Sequence, residues 1–171
     1  MNDISRSYLA ARAALPPTRL VPAWLALALD AEFGEQASAI AALWTARHPA
    51  VVREDGSTGI DDRHEEYGDL LELLLEGAAT SSAHTVAIAR WIALSCFGED
   101  HLWEDLGLPE RPALGTLIAR HFPALYARNV HNLRWKKFFY KQLCERAEVK
   151  ACRAPSCAVC SEYAGCFEGG V

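Results

Sequence analysis

With 171 residues, 51% of them hydrophobic, the chain is long enough for one domain with a sizeable core, because a domain of this size buries roughly 70% of the surface its unfolded chain exposes. The formal charge of −5 argues against a nucleic-acid binder, a class that is basic overall. The start, Met1 to Ser7, lacks the charged-then-apolar order of an export signal, and the best apolar run, Val21 to Leu29, is about half the roughly 20 residues of a membrane span, so a cytoplasmic protein is expected.

Ala and Leu dominate the first two thirds, and apolar residues recur at spacings of three and four. That period predicts an all-α body over residues 1–146 with no strand alternation. A first helix starts after Asp3 as N-cap and stops before Pro16 and Pro17, which remove backbone donors and bias the preceding residue away from helix. Further helices are expected over Pro22 to Asp30 and over Glu35 to Arg47, the second ended by His48 and Pro49. Val51 to Arg63 holds Gly56, Ser57, Thr58 and Gly59 among charges and reads as a loop.

Glu65 to Glu76 reads as a helix with Leu70, Leu71, Leu74 and Leu75 turned inward. Thr80, Ser81 and Ser82 offer hydroxyl caps for a central helix whose buried face is Val86, Ile88, Ala89, Ile92, Ala93 and Cys96, with Gly98 ending it. His101 to Leu106 is a short helical turn. Arg111 to Phe122 is the next helix, with Pro112 near its start and Pro123 just past its end. Asn132 to Arg146 is the last long helix.

From residue 147 to 171 the text changes. Val149, Val159, Tyr163, Phe167 and Val171 are its large apolar side chains, interrupted by Pro155, Gly165, Gly169 and Gly170. Ordering such a segment costs about 1–2 kcal/mol per residue in the backbone alone, so burial cannot organise it and another agent must. Its cysteines supply one. Four of the six in the chain fall in the pattern Cys152-x4-Cys157-x2-Cys160-x5-Cys166. A reducing compartment keeps them from pairing as disulfides, and closely spaced thiolates converge on a metal centre at little loop-closure cost. The x2 bite serves zinc sites and iron–sulfur loops alike, so spacing leaves the metal open. For small thiolate zinc sites the binding energy is about 10–16 kcal/mol, enough to order a tail of this size.

Other candidate groups carry two readings each. Arg128 to Arg153 holds eight Lys or Arg against two Glu; within it Arg134, Lys137 and Lys141 form a stripe at helical spacing, with Trp135, Phe138, Phe139 and Leu143 turned to the core. The stripe either steers an anion or is a solvated face. His101 and Asp105, in the acidic run Glu99, Asp100, His101, Glu104 and Asp105, share a helix face and either donate to a metal or belong to a charged, capped helix start. Cys144, eight residues before Cys152, is either an extra or exchange ligand or a packing cysteine, and Cys96 is read as packing. His121 and His131 are read as surface or capping residues, and no hydrolytic triad, phosphate loop or Gly-x-Ser-x-Gly elbow is present.

The cysteine tail, together with Trp135 to Cys144 (WKKFFYKQLC), Ala89 to Ala93 (ARWIA) and His101 to Leu108 (HLWEDLGL), resembles the NifQ family. The resemblance implies a carrier, not an enzyme: a molybdenum donor for the nitrogenase iron–molybdenum cofactor in nitrogen fixation. It implies that Cys152, Cys157, Cys160 and Cys166 hold an iron–sulfur cluster, 4Fe-4S or Mo-3Fe-4S, that takes molybdenum from molybdate. The implied partners are the assembly proteins NifEN and NifH. Against it stand a zinc-stabilised four-cysteine interaction module and a simple 4Fe-4S electron-transfer protein.

Overall fold

The computed structural model describes residues 21–48 and 64–146. The expected first helix, the expected loop over Val51 to Arg63 and the whole cysteine tail lie outside the described residues, and the division between body and tail falls at their edge.

Every regular element among the described residues is helical, as the apolar period predicted. In chain order these are α1 (Ala23–Phe33), a 3-10 turn (Gly34–Gln36), α2 (Ala37–Arg47), α3 (His64–Glu76), α4 (Ala83–Ser95), the single turn α5 (Leu102–Asp105), α6 (Arg111–His121), α7 (Pro123–Arg128) and α8 (Trp135–Arg146). Helix α4 is the centre. Its N-cap is Ser82, whose Oγ accepts the Thr85 N–H at 3.1 Å, and its residues from Ala87 to Ala89 and from Trp91 to Ser95 are buried. A helix buried along most of its length needs neighbours on most sides, and α1, α3 and α5 pack on it, α2 on α1, α8 on α3, and α6 on α5 and α7. One side chain couples these layers. The Ser95 hydroxyl accepts the indole N–H of Trp44 from α2 at 2.9 Å and donates to the Trp91 carbonyl at 2.8 Å.

Three local expectations need correction. On α3 the buried leucines are Leu70, Leu73 and Leu74, while Leu71 is half-buried and Leu75 is exposed. The helix is held between α4 and α8, which selects the stripe 70, 73, 74 and 77 and swings position 75 outward. Pro123 does not merely follow a helix; it opens α7, because proline fits the first turn, where its missing N–H is no loss. Helix α8 starts at Trp135 rather than Asn132, since Asn132 sits at φ +48, outside the helical region.

Gly107 positions the link after α5. Its φ is +71 and an added Cβ would come within 2.8 Å of the Ile40 carbonyl oxygen, so the chain passes against α2 where only glycine fits both the conformation and the space.

Candidate metal-handling region

Helix α8 carries two opposed faces. Trp135, Phe138, Phe139 and Tyr140 are buried, Leu143 is packed against the core, and the Trp135 ring lies edge-on to Phe138 at 5.6 Å and stacks on Tyr126 of α7 at 6.1 Å. The expected aromatic face is therefore real, with Gln142 added to it, while Tyr140 is buried on another side of the helix. Tyr140 donates its hydroxyl to Glu66 of α3 at 2.5 Å. On the other side Arg134 and Lys141 are exposed, and Lys137 and Cys144 are partly exposed. Lys137, Lys141 and Cys144 thus lie along the water-facing side of the helix that precedes the tail in the chain, with Arg134 just before its start.

Lys136 is not part of that stripe. Its ammonium turns inward, donates to the Gly98 and Asp100 carbonyls at 2.8 and 2.7 Å, and pairs with the Asp105 carboxylate. Both side chains are largely buried, 13% and 3% exposed. The link from α4 to α5 is drawn onto α8 by this one cation, and Gly98 must be small, since a Cβ there would collide with the Asp105 carboxylate. Asp105 also ties down α2: its carbonyl accepts the Nε2–H of buried His48 at 2.9 Å. Arg47 adds an ion pair to Asp100 at 2.6 Å.

This arrangement decides the geometry of His101 and Asp105. His101 is the exposed residue just before α5, its N–H donating to Glu104 Oε2 at 3.2 Å, while Asp105 is buried on Lys136. His101 caps the turn, its carbonyl accepting the Asp105 N–H at 3.0 Å, so the two residues stand one helical turn apart with one side chain exposed and the other buried. Cys96 is fully buried, and burial pushes its thiol up to about 12, which makes it a packing group and no thiolate.

A grouping that the sequence did not suggest lies elsewhere. Glu32 on α1, His84 on α4 and His121 at the end of α6 converge, with Glu32 Oε2 accepting from His121 Nε2 at 3.0 Å and from His84 Nε2 at 3.3 Å. Arg120 holds the other oxygen, Oε1, at 2.5 Å. Burial works to raise the Glu32 carboxyl, but the hydrogen bonds of His121 and His84 and the charges of His121 and Arg120 outweigh it and hold it below its ordinary value. His121 is buried, not the surface or capping residue expected. Glu32 is 52 residues from His84 and 89 from His121, and no local spacing announces such a meeting.

Residues 19–168 match the profile of the NifQ family. The chain belongs to that family. Over 108 residues it is 45% identical to Protein NifQ of Azotobacter vinelandii, a stretch covering 63% of this chain and 55% of that relative. It is 46% identical over 98 residues to a NifQ homolog of Sinorhizobium fredii, covering 57% and 43%, and 46% identical over 99 residues to Protein NifQ of Rhodobacter capsulatus, covering 58% and 54%. The matched stretch thus spans about half the length of these curated relatives. No solved structure matches the chain. In this NifQ chain no helix among the described residues is long and apolar enough to cross a membrane.

Proposed function

We propose that the chain is a molybdenum carrier for assembly of the nitrogenase iron–molybdenum cofactor in nitrogen fixation. Molybdenum is the cargo, bound with iron and sulfide through Cys152, Cys157, Cys160 and Cys166, and the recipients are cofactor-assembly proteins of the NifEN and NifH kind. The observation that carries the reading is that the match to the NifQ family extends to residue 168 and so takes in all four cysteines of the C-x4-C-x2-C-x5-C pattern.

The chemistry of the donor set supports it. Molybdenum travels as a hard oxoanion and must become sulfur-bonded before it enters a sulfide-rich cofactor; soft thiolates favour that exchange. Three thiolates suffice for three irons of a cubane, so a fourth corner is left for exchange. Cys144 stands on the exposed side of α8, eight residues before Cys152, within the same short length of chain. The cations Arg134, Lys137 and Lys141 along that side would draw in an oxoanion and offset the negative charge of a thiolate-bound cluster.

The full chain purified without oxygen should contain iron, sulfide and molybdenum and give a paramagnetic signal on reduction or oxidation. Cys157→Ala and Cys160→Ala should lose the metals while the helical circular dichroism stays near that of the parent chain. A colourless protein holding a zinc ion that Cys157→Ala removes would replace this reading with a closed structural site. Iron and sulfide without molybdenum, after reconstitution with molybdate present, would replace it with electron transfer.

A further inference from the structure

We propose that Glu32, His84 and His121 form a second metal site, for a divalent first-row cation of the zinc type, separate from the tail thiolates. Three observations point to it. First, the donor atoms are already gathered: the three groups offer ligand atoms within 4.8 Å of one another, and both imidazoles aim the same nitrogen, Nε2, at one carboxylate oxygen. Donors about 2.0–2.2 Å from a zinc ion lie roughly 3.3 Å apart at the tetrahedral angle and about 3.0 Å apart at a right angle. The two Nε2 to Oε2 separations, 3.3 and 3.0 Å, are already of that size, and the two Nε2 atoms lie within 4.8 Å of each other, so an ion entering between the three groups draws the imidazoles together.

Second, the site is built rather than accidental. The side chains of Glu32 and His121 are each 8% exposed, on two different helices, and Arg120 engages Oε1, leaving Oε2 as the ligand oxygen. A neighbour that fixes a ligating carboxylate in this way is the usual support of a metal site. Third, the access is open on one side: the His84 side chain is 32% exposed. Two imidazoles and one carboxylate are the donor set of zinc and ferrous sites that keep a free position for water or an anion. Magnesium and calcium do not suit it, because they need an oxygen-rich shell, and only one carboxylate is present here. These nitrogen and oxygen donors share no ligand with the four thiolates of the tail, so variants of one set leave the other intact.

The test uses the full chain with Zn2+ as the probe. Equilibrium dialysis followed by elemental analysis should find one zinc ion per chain more in the parent than in His84→Ala or Glu32→Gln. Arg120→Ala should keep the site with affinity lowered about 10–100-fold. Cys157→Ala, which disables the tail, should leave this ion in place, so failure of the cysteine reading and failure of this one are told apart. Histidine-labelled nitrogen NMR supplies a second readout: zinc should move the Nε2 resonances of His84 and His121. Should His121→Ala fail to fold, His84→Ala decides, since its side chain is partly exposed. Equal zinc content in parent and His84→Ala, with unmoved histidine resonances, overturns the proposal and leaves the cluster as a hydrogen-bonded tie among α1, α4 and α6.

Discussion

Lys136 illustrates how a charge inside a protein is set by its neighbours rather than by its type. A buried ammonium is costly, and it persists here because two carbonyls and the Asp105 carboxylate receive its three donors. Removing the cation alone strands the carboxylate. Lys136→Met is therefore expected to destabilise the chain by about 3–5 kcal/mol, measured by urea denaturation. Adding Asp105→Asn in that background should return part of the loss, because the stranded charge is gone although the carbonyls still lack their donor. If the double variant is no more stable than Lys136→Met, the cost comes from the carbonyls and the ion pair is incidental. Lys136, Lys137 and Lys141 look alike in the sequence, and what separates the first is the side of α8 it occupies, which turns its ammonium to the Gly98 and Asp100 carbonyls and Asp105.

At the level of whole helices, the period of apolar residues gave the number and order of most elements but not the exact face each one presents. The run Leu70, Leu71, Leu73, Leu74 and Leu75 contains more leucine than one face can bury, so the pattern permits several rotations of α3 and only the neighbours α4 and α8 select one. The rotation seen makes a clear prediction. Leu73→Ala, which removes a side chain with no exposure, should cost about 2–5 kcal/mol, whereas Leu75→Ala, at 37% exposure, should cost under about 1 kcal/mol because little apolar area leaves water there. Thermal melts of the two variants check it; equal costs would mean that the helix is rotated by one position. The turn from α6 into α7 was illegible for a different reason: proline marks a helix end and a helix start with equal force, and Phe122 stands between the two helices with its ring fully buried.

Over the whole molecule, a pattern that is local in sequence stands out as a candidate before any fold is known, whereas groups assembled by folding do not. The four tail cysteines lie within fifteen residues and announce themselves. Glu32, His84 and His121, like Asp105 and Lys136, meet only because helices far apart in sequence pack together. His48 belongs to the second kind, and it ties acid stability to that packing. It sits where the end of α2 meets α5, with the Asp105 carbonyl accepting its Nε2–H, and with the Asp105 carboxylate, Lys136 and Arg47 as the charged groups around it. Burial lowers its pKa below the ordinary 6.5; the Asp105 carbonyl and carboxylate oppose this, Lys136 and Arg47 reinforce it, and the net shift is downward. A histidine whose folded pKa is depressed binds its proton more readily in the unfolded chain, so the unfolded chain carries more protons than the folded one and stability rises with pH through that window. The contribution is complete above 6.5 and is lost as pH falls from there to the folded pKa. Chemical denaturation at a series of pH values between 7.5 and 5 should therefore show the parent losing stability on acidification, and His48→Gln, whose amide also donates to the Asp105 carbonyl without titrating, should show a flatter profile over the same range. Parallel profiles for the two proteins would mean that His48 is protonated equally in both states and that its burial at this junction has no influence on the acid limb.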